Sequence, residues 1–286
     1  MTDVWHNGRF VDAAGAIAAN DRGLLLADGV FDTALVLGGR VFRLEAHVDR
    51  LVAACRTLEI PVARADLDAA VAALAGRHGS GSIRLTVTRG PGPRGLSCPP
   101  QPQPTILGSS APLAPAAMFA PLTLFETAIR RNETSPLSRL KSLAYLDAVL
   151  ANRDARKAGA DEALFANGAG RPVCTALGNL FLLDGDALIT PPLEEGVLDG
   201  IIRGWILGHA GLFGLSAREE PVSRERLAAG PLFVTNSLRL IAPACLVGRP
   251  RPADDRRVAA LMQGLCAALA AECGTDPREH GARLPA

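Results

Sequence analysis

The chain contains only two lysines, Lys141 and Lys157, and they sit in different surroundings. Lys157 ends the run Arg153-Asp154-Ala155-Arg156-Lys157, which reads as a solvated helix face or a charge at a helix C-terminus. Lys141 lies in Ser138-Arg139-Leu140-Lys141-Ser142-Leu143, between apolar neighbours where a strand pattern gives way to a helix pattern. An amine shielded from water is a competent nucleophile toward a carbonyl and can form a Schiff base, whereas at a surface the same side chain snorkels.

Three further features could bind a phosphate. Gly196-Val197-Leu198-Asp199-Gly200-Ile201-Ile202, just after Pro191-Pro192, reads as a glycine-bounded turn entering a helix. The free N–H groups of a helix start attract anions, although turn chemistry alone also explains the pattern. Arg50 falls on the first long helix, where an arginine read by itself is solvated. Thr235-Asn236-Ser237 closes a strand, where such a cluster ordinarily makes a turn. No Walker motif and no G-x-G-x-x-G fingerprint occurs, so nucleotide binding of those kinds has no support.

The elements that must position these residues are mixed. Val4 to Phe10 carries the tight-turn pair Asn7-Gly8, and Val30–Leu37 and Arg40–Leu44 flank Gly38-Gly39, so two hairpins are expected. From about His47, Val48, Leu51, Val52, Cys55 and Leu58 share a helical face that Pro61 ends. A second helix is expected over Asp66–Arg77 and a strand over Ser82–Arg89. Gly90 to Pro104 is a Gly- and Pro-rich loop, and long loops in compact domains are often functional. Ala111 to Pro121 reads as an interdomain linker, giving domains over 1–114 and 115–286. Beyond it the pattern gives a strand over Leu122–Ile129, a helix over Ala144–Ala158 and short strands between Glu162 and Thr190. A helix from about Leu198, a strand at Leu232–Thr235 and a last helix over Arg256–Cys273 complete the reading. Strands and helices alternate in both halves, so the class is α/β or α+β.

Bulk composition excludes several functions. Thirty basic side chains balance 29 acidic ones, so nucleic acid is not a favoured partner, while a small anionic substrate needs only one or two arginines. The six cysteines include no C-x-x-C pair and the five histidines are scattered, so no metal site is expected. No apolar run approaches the ~20 residues that span a bilayer, and no secretory signal is visible. A cytoplasmic protein with reduced thiols is therefore expected.

Taken together, the pieces resemble the class IV pyridoxal-phosphate (PLP)-dependent aminotransferases over nearly the whole length. Asp21-Arg22-Gly23 and Asp28-Gly29-Val30-Phe31-Asp32-Thr33 look like that family's DRG…DGVFET segment, and Glu45-Ala46-His47-Val48-Asp49-Arg50-Leu51 like its E-H-x-x-R-L helix. Asp161-Glu162-Ala163-Leu164 and Gly178-Asn179-Leu180-Phe181 resemble its DEA-L and N-L-F strands. Within the family the nearest resemblance is to the aminodeoxychorismate lyases. Thr88-Arg89-Gly90-Pro91-Gly92-Pro93-Arg94-Gly95-Leu96 looks like their R-G-x-G-x-R-G-Y loop, and Thr235 to Pro243 like their T-N-S/A-L-R-G-I-x-P-V stretch.

The resemblance implies fold-type IV, two α/β domains with PLP between them, the second carrying the cofactor lysine, and a homodimer. It implies that Lys141 is the Schiff-base lysine and Arg50 the phosphate arginine. The Ile201 and Ile202 amides and the Ser237 hydroxyl would complete the phosphate site. Arg94, Arg239 and Asn236 become candidates for substrate carboxylates, which an arginine fork suits. The implied activity is a lyase giving 4-aminobenzoate and pyruvate in the folate pathway. A class IV transaminase and a non-catalytic PLP-binding homologue stay open beside it.

Four positions depart from the family pattern. Cys174 stands five residues before Asn179, where the family has the glutamate that faces the pyridine nitrogen. Leu96 replaces a loop tyrosine, Phe31 a tyrosine of some members, and Ile202 a threonine of the phosphate cup. A carboxylate keeps the pyridine nitrogen protonated and the ring a strong electron sink; a neutral thiol does not. The expectation is a weaker sink, which would harm transamination more than an elimination that ends in an aromatic ring.

Overall fold

The computed structural model describes residues 3–250 and 255–285. Two compact units emerge: one of Met1–Leu113, Leu140–Ala144 and Glu272–Thr275, the other of Ala114–Arg139, Tyr145–Ala271 and Asp276–Ala286.

The first unit is a six-stranded sheet covered by two helices. Its strands are β1 (Asp3–His6), β2 (Arg9–Asp12), β3 (Gly29–Leu37), β4 (Arg40–Val41), β5 (Gly81–Thr88) and β6 (Thr105–Pro112), in the order β2-β1-β6-β5-β3-β4. Asn7 and Gly8, and likewise Gly38 and Gly39, have positive φ, as the two short hairpins require. A one-turn helix, α1 (Arg22–Leu26), is capped by Asp21. The longer α2 (Leu44–Thr57) and α3 (Arg64–Ala75) bury Val48, Leu51, Leu67, Val71 and Leu74 together with Val30, Ile83, Leu85 and Val87 of the sheet. The helix signal begins three residues before the expected His47, because Leu44 packs on the same core.

The expected linker is shorter than the sequence suggests. Ala111 and Pro112 belong to β6, whose pairing with β5 runs from Thr88↔Thr105 to Gly81↔Pro112. Proline is tolerated there at the strand's end. The expectation that the second unit carries Lys141 is corrected as well. The segment around it lies along β3: the Phe31 amide donates to the Lys141 carbonyl (2.8 Å), and the Leu143 amide to the Gly29 carbonyl (3.0 Å). Two main-chain bonds and the Val30↔Ser142 bridge tie it to the first unit, which a composition break cannot reveal.

Among the described residues, the second unit holds eight strands and four α-helices. The strands are β7 (Leu122–Arg131), β8 (Glu162–Asn167), β9 (Pro172–Thr175), β10 (Asn179–Asp184), β11 (Ala187–Thr190), β12 (Ser216–Glu219), β13 (Leu232–Asn236) and β14 (Leu240–Leu246). Their order is β12-β11-β10-β13-β14-β7-β8-β9, and a further pairing of β9 with β10 closes six of them into a ring. That closure is the pair Asn179↔Cys174. The helices are α4 (Leu146–Lys157), α5 (Ile201–His209), α6 (Arg224–Ala229) and α7 (Arg256–Cys273), the last matching its expected bounds. Ala148, Ala151 and Ala155 of α4 join a buried cluster with Ala163 and Phe165 of β8, small residues that let helix and sheet approach closely. No helix among the described residues is long and apolar enough to cross a membrane.

The Lys141 segment makes the tightest demand at Gly29. A Cβ there would lie 2.6 Å from the Val87 carbonyl oxygen and 2.9 Å from Leu143 Cδ1. Gly29→Ala is expected to cost about 1–3 kcal/mol of stability by overpacking, measured by urea unfolding. An unchanged midpoint would show that this strand junction yields freely.

Candidate functional site

In the first unit, two neighbouring residues of β3 each hold a cation. Asp32 is buried, and it receives Nε and an Nη of Arg50 at 2.9 and 3.0 Å in a two-toothed fork. His47 Nδ1 lies 2.7 Å from the same carboxylate. Burial opposes the charged form of Asp32, but the His47 hydrogen bond and the charges of Arg50 and His47 outweigh it and hold the carboxyl below its usual range. With Asp32 ionised, Nδ1 of His47 must carry the donated hydrogen. Phe31, one residue earlier and on the other side of the strand, has the Lys141 ammonium 4.4 Å and the Arg84 guanidinium 3.5 Å from its ring centre. Arg50 and Lys141 are thus fixed from adjacent positions, though on opposite faces of the strand. Lys157, by contrast, is exposed and paired with Asp154.

The glycine- and proline-rich loop over 90–104 is held at its base. Arg22, almost wholly buried, donates to the carbonyls of Gly95, Leu96 and Ser97 and to Asp28. Asp28 also binds Arg89, and both arginines bring its carboxyl below the ordinary range against the effect of burial, the largest single influence. Asp21 accepts from the hydroxyls of Thr88 and Thr105. The loop's far side, with Arg94 and Leu96, is exposed. The D-R-G motif therefore braces this loop, a role that its three letters did not suggest.

In the second unit, the turn from Gly196 to Gly200 feeds α5. Its N-cap, Gly200, offers no side-chain acceptor, so the Ile201 and Ile202 amides keep the polarity of an uncapped helix start. Ile202 is buried, and its contribution to an anion is confined to its backbone N–H. Asn179 holds the turn by donating to the Leu198 carbonyl at 2.8 Å, and a Cβ on Gly200 would come within 2.0 Å of the Asn179 side-chain oxygen. Upstream, the buried Glu195 receives Asn167 and both arms of Arg171 at 2.6 Å. Gly196 follows with φ of 86°.

Asn236, Ser237 and Arg239 share the turn between β13 and β14. The Asn236 side-chain oxygen accepts from the Leu238 and Arg239 amides at 3.0 and 2.8 Å, so this residue shapes the turn and only its Nδ2 remains to meet a ligand oxygen. Thr235, in register with Asn179, buries a hydroxyl that has no hydrogen-bond partner. An uncapped helix start, a turn too tight for a side chain and an orphaned hydroxyl together suit a phosphate group. These features fit the phosphate end of PLP.

The expected ring partner fits less well. Cys174 is buried in β9, opposite Phe165 of β8. Burial pushes its thiol up; Arg131 pulls the other way by charge and hydrogen bond without cancelling this, and Glu162 adds to the rise. The residue is a neutral thiol. Glu162 itself is buried, with one oxygen taking the Leu177 amide at 2.8 Å and the other without a partner. The sequence gives Asp32, His47, Asn179 and Arg131 no role. The His47/Arg50 spacing of three on one helix face is the one signal that could have exposed the first pair.

Thiol burial has a direct consequence. Native protein treated with iodoacetamide at mildly alkaline pH is expected to be alkylated at the exposed Cys98 and spared at Cys174 and at Cys55, whose thiol burial pushes to about 12. Peptide mass spectrometry reads the result, and labelling of Cys174 as fast as Cys98 would contradict a closed, neutral site.

Comparison with known proteins gives this arrangement its context. The pattern of the family described as "Amino-transferase class IV" matches residues 29–247. A Methanocaldococcus jannaschii protein provisionally named a branched-chain-amino-acid aminotransferase is 34% identical over 247 residues, covering 84% of this chain and 86% of its own. The aminodeoxychorismate lyase of Bacillus subtilis is 29% identical over 248 residues, covering 84% and 85%. The crystal structure of 4-amino-4-deoxychorismate lyase from Pseudomonas aeruginosa superposes with a TM-score of 0.82 at 30% identity, covering 94% of this chain and 98% of that one. The chain therefore belongs to the class IV aminotransferase family, with its fold-type IV architecture, and is a PLP-dependent enzyme.

Proposed function

We propose that this enzyme is a lyase that converts 4-amino-4-deoxychorismate to 4-aminobenzoate and pyruvate. The observation that carries the reading is Cys174, a buried neutral thiol at the position where the family resemblance places a carboxylate. Bound PLP supplies an electron sink for the pair released when a proton leaves the substrate carbon that bears the amine. A thiol does not hold the ring nitrogen protonated, so that sink is weakened. Transamination depends on it fully, because no bond of the substrate breaks to take up the charge. The lyase reaction has another outlet: the pair left by the proton completes an aromatic ring, the carbon–oxygen bond to the enolpyruvyl group breaks with its electrons on oxygen, and the departing enolate takes a proton on carbon to become pyruvate.

The chain's own residues divide the work. Lys141 Nζ accepts the proton from the substrate carbon as general base. Arg50, the Ile201 and Ile202 amides and Ser237 hold the phosphate and so fix the orientation of the reacting atoms. Arg94, Arg239 and the Nδ2 of Asn236 take the substrate carboxylates. The same reading makes the enzyme a cytoplasmic homodimer in the route to folate. A second reading, a class IV transaminase for branched-chain or D-amino acids, is favoured by the 34% identity to the archaeal relative.

PLP-loaded protein given 4-amino-4-deoxychorismate is expected to form 4-aminobenzoate and pyruvate in equal amounts, and Lys141→Ala to form neither. An intact, substrate-accessible cofactor with no product would overturn the lyase reading. Conversion of the cofactor to its amine form by a branched-chain or D-amino acid would then favour the transaminase. Cys174→Glu is expected to raise amino transfer relative to lyase turnover in a paired assay. An unchanged ratio would show that the residue facing the ring does not set the reaction.

A further inference from the structure

We propose that Asp32 and His47 are positioning residues that hold Arg50 ready for a phosphate and so make this chain select the phosphorylated form of its cofactor. The inference rests on the phosphate role of Arg50 proposed above. Arg50 and His47 are three residues apart on α2 and face β3 together. Nε and an Nη of Arg50 are both committed to Asp32, which fixes the plane of the guanidinium as well as its position. An arginine left to itself loses much rotamer freedom when it grips an anion. Here that freedom is lost on folding, before a ligand arrives.

The pairing carries a cost that His47 corrects. A carboxylate bound only to Arg50 would cancel the charge that attracts a phosphate. Asp32 is shared: His47 Nδ1 at 2.7 Å draws on the same oxygen that receives an Nη of Arg50. The carboxylate's charge is then divided between two donors, and Arg50 keeps more of its own. The surroundings sharpen the effect. A cavity of about 20 Å³ beside Asp32 and His47 is lined otherwise by aliphatic side chains such as Val48, Leu51, Ile83 and Leu85. Charges interact more strongly in such a setting than in water.

The test compares PLP with pyridoxal, which lacks the phosphate, by equilibrium titration of apoprotein. Asp32→Asn keeps the shape of the side chain and removes its charge. It is expected to weaken PLP binding about tenfold or more, the scale on which loss of a supporting partner weakens metal sites, and to leave pyridoxal binding unchanged. His47→Gln, which lacks a donor at the Nδ1 position, is expected to shift PLP in the same direction. His47→Asn, which restores a donor there, is expected to recover it. In an Arg50→Gln background, Asp32→Asn should cause no further loss, since coupled residues are not additive. Equal weakening of both ligands would mark a general structural role and overturn the proposal, as would no weakening of either. If Asp32→Asn does not fold, the two His47 variants decide the matter alone. An Arg50→Gln variant with an unaltered preference for PLP over pyridoxal would remove the premise and the proposal with it. The lyase reading would survive that result, because its product assay depends on Lys141.

Discussion

A carboxylate inside an aliphatic core stays ionised only if it is paired, and Asp32 sets that condition for the first unit. Isolated buried charge is among the most costly features a fold can carry. The condition is met by one helix, α2, whose phase brings His47 and Arg50 to the same oxygen atoms while Val48 and Leu51 fill the space beside them. Rotating that helix by a single residue would break the ion pair and expose the leucine. The apolar stripe and the charged pair therefore specify the same helix orientation, which is how consistency between levels narrows a sequence to one structure. Phe31, on the other side of the same strand, then fixes where the Lys141 ammonium lies.

The second unit meets its constraint with backbone rather than charge. The start of α5 is uncapped, and no acidic side chain stands in its first turn. Two side chains around the turn before it are pointed at main-chain groups, Asn179 at the Leu198 carbonyl and Asn236 at two amides of the neighbouring turn, while Glu195 accepts from the side chains of Asn167 and Arg171. Each of these is polar and largely removed from water, so each must be satisfied by a specific partner. Such networks favour one backbone path, and an anion site made of N–H groups needs its path fixed before the ligand arrives.

The elements with strong periodicity were legible in the sequence. The two hairpins at Asn7-Gly8 and Gly38-Gly39, the helix over Arg256–Cys273 and the strand at Leu122 all follow from local chemistry. β6 was not legible, because Thr105–Pro112 mixes Gly, Ser and Pro and becomes a strand only through its neighbour β5. The placement of Lys141 was hidden for the same reason: two long-range main-chain bonds leave no mark in composition. Of the candidate residues, the short motifs single out Lys141, Arg50 and the α5 start. Asp32, Asn179 and Glu195 escaped, because a residue that acts by holding another shows its role only when the partner's position is known. Arg22 belongs to the same class, buried at the base of a loop whose sequence announces only irregularity.

Cys174 is coherent with its surroundings in a way that the family comparison alone does not convey. Glu162 already places one carboxylate in the same region, with an oxygen that finds no partner, and Arg131 is the cation whose charge and hydrogen bond reach Cys174. The family pattern sets a second carboxylate at position 174 beside that of Glu162, and here that second charge is missing. The thiol adds no charge of its own, and burial keeps it neutral. The charge around position 174 is then set by Glu162 and Arg131 rather than by the residue itself. Under the lyase reading proposed above, a fold shared with transaminases thereby favours chemistry that asks less of the ring, with no change in its strands.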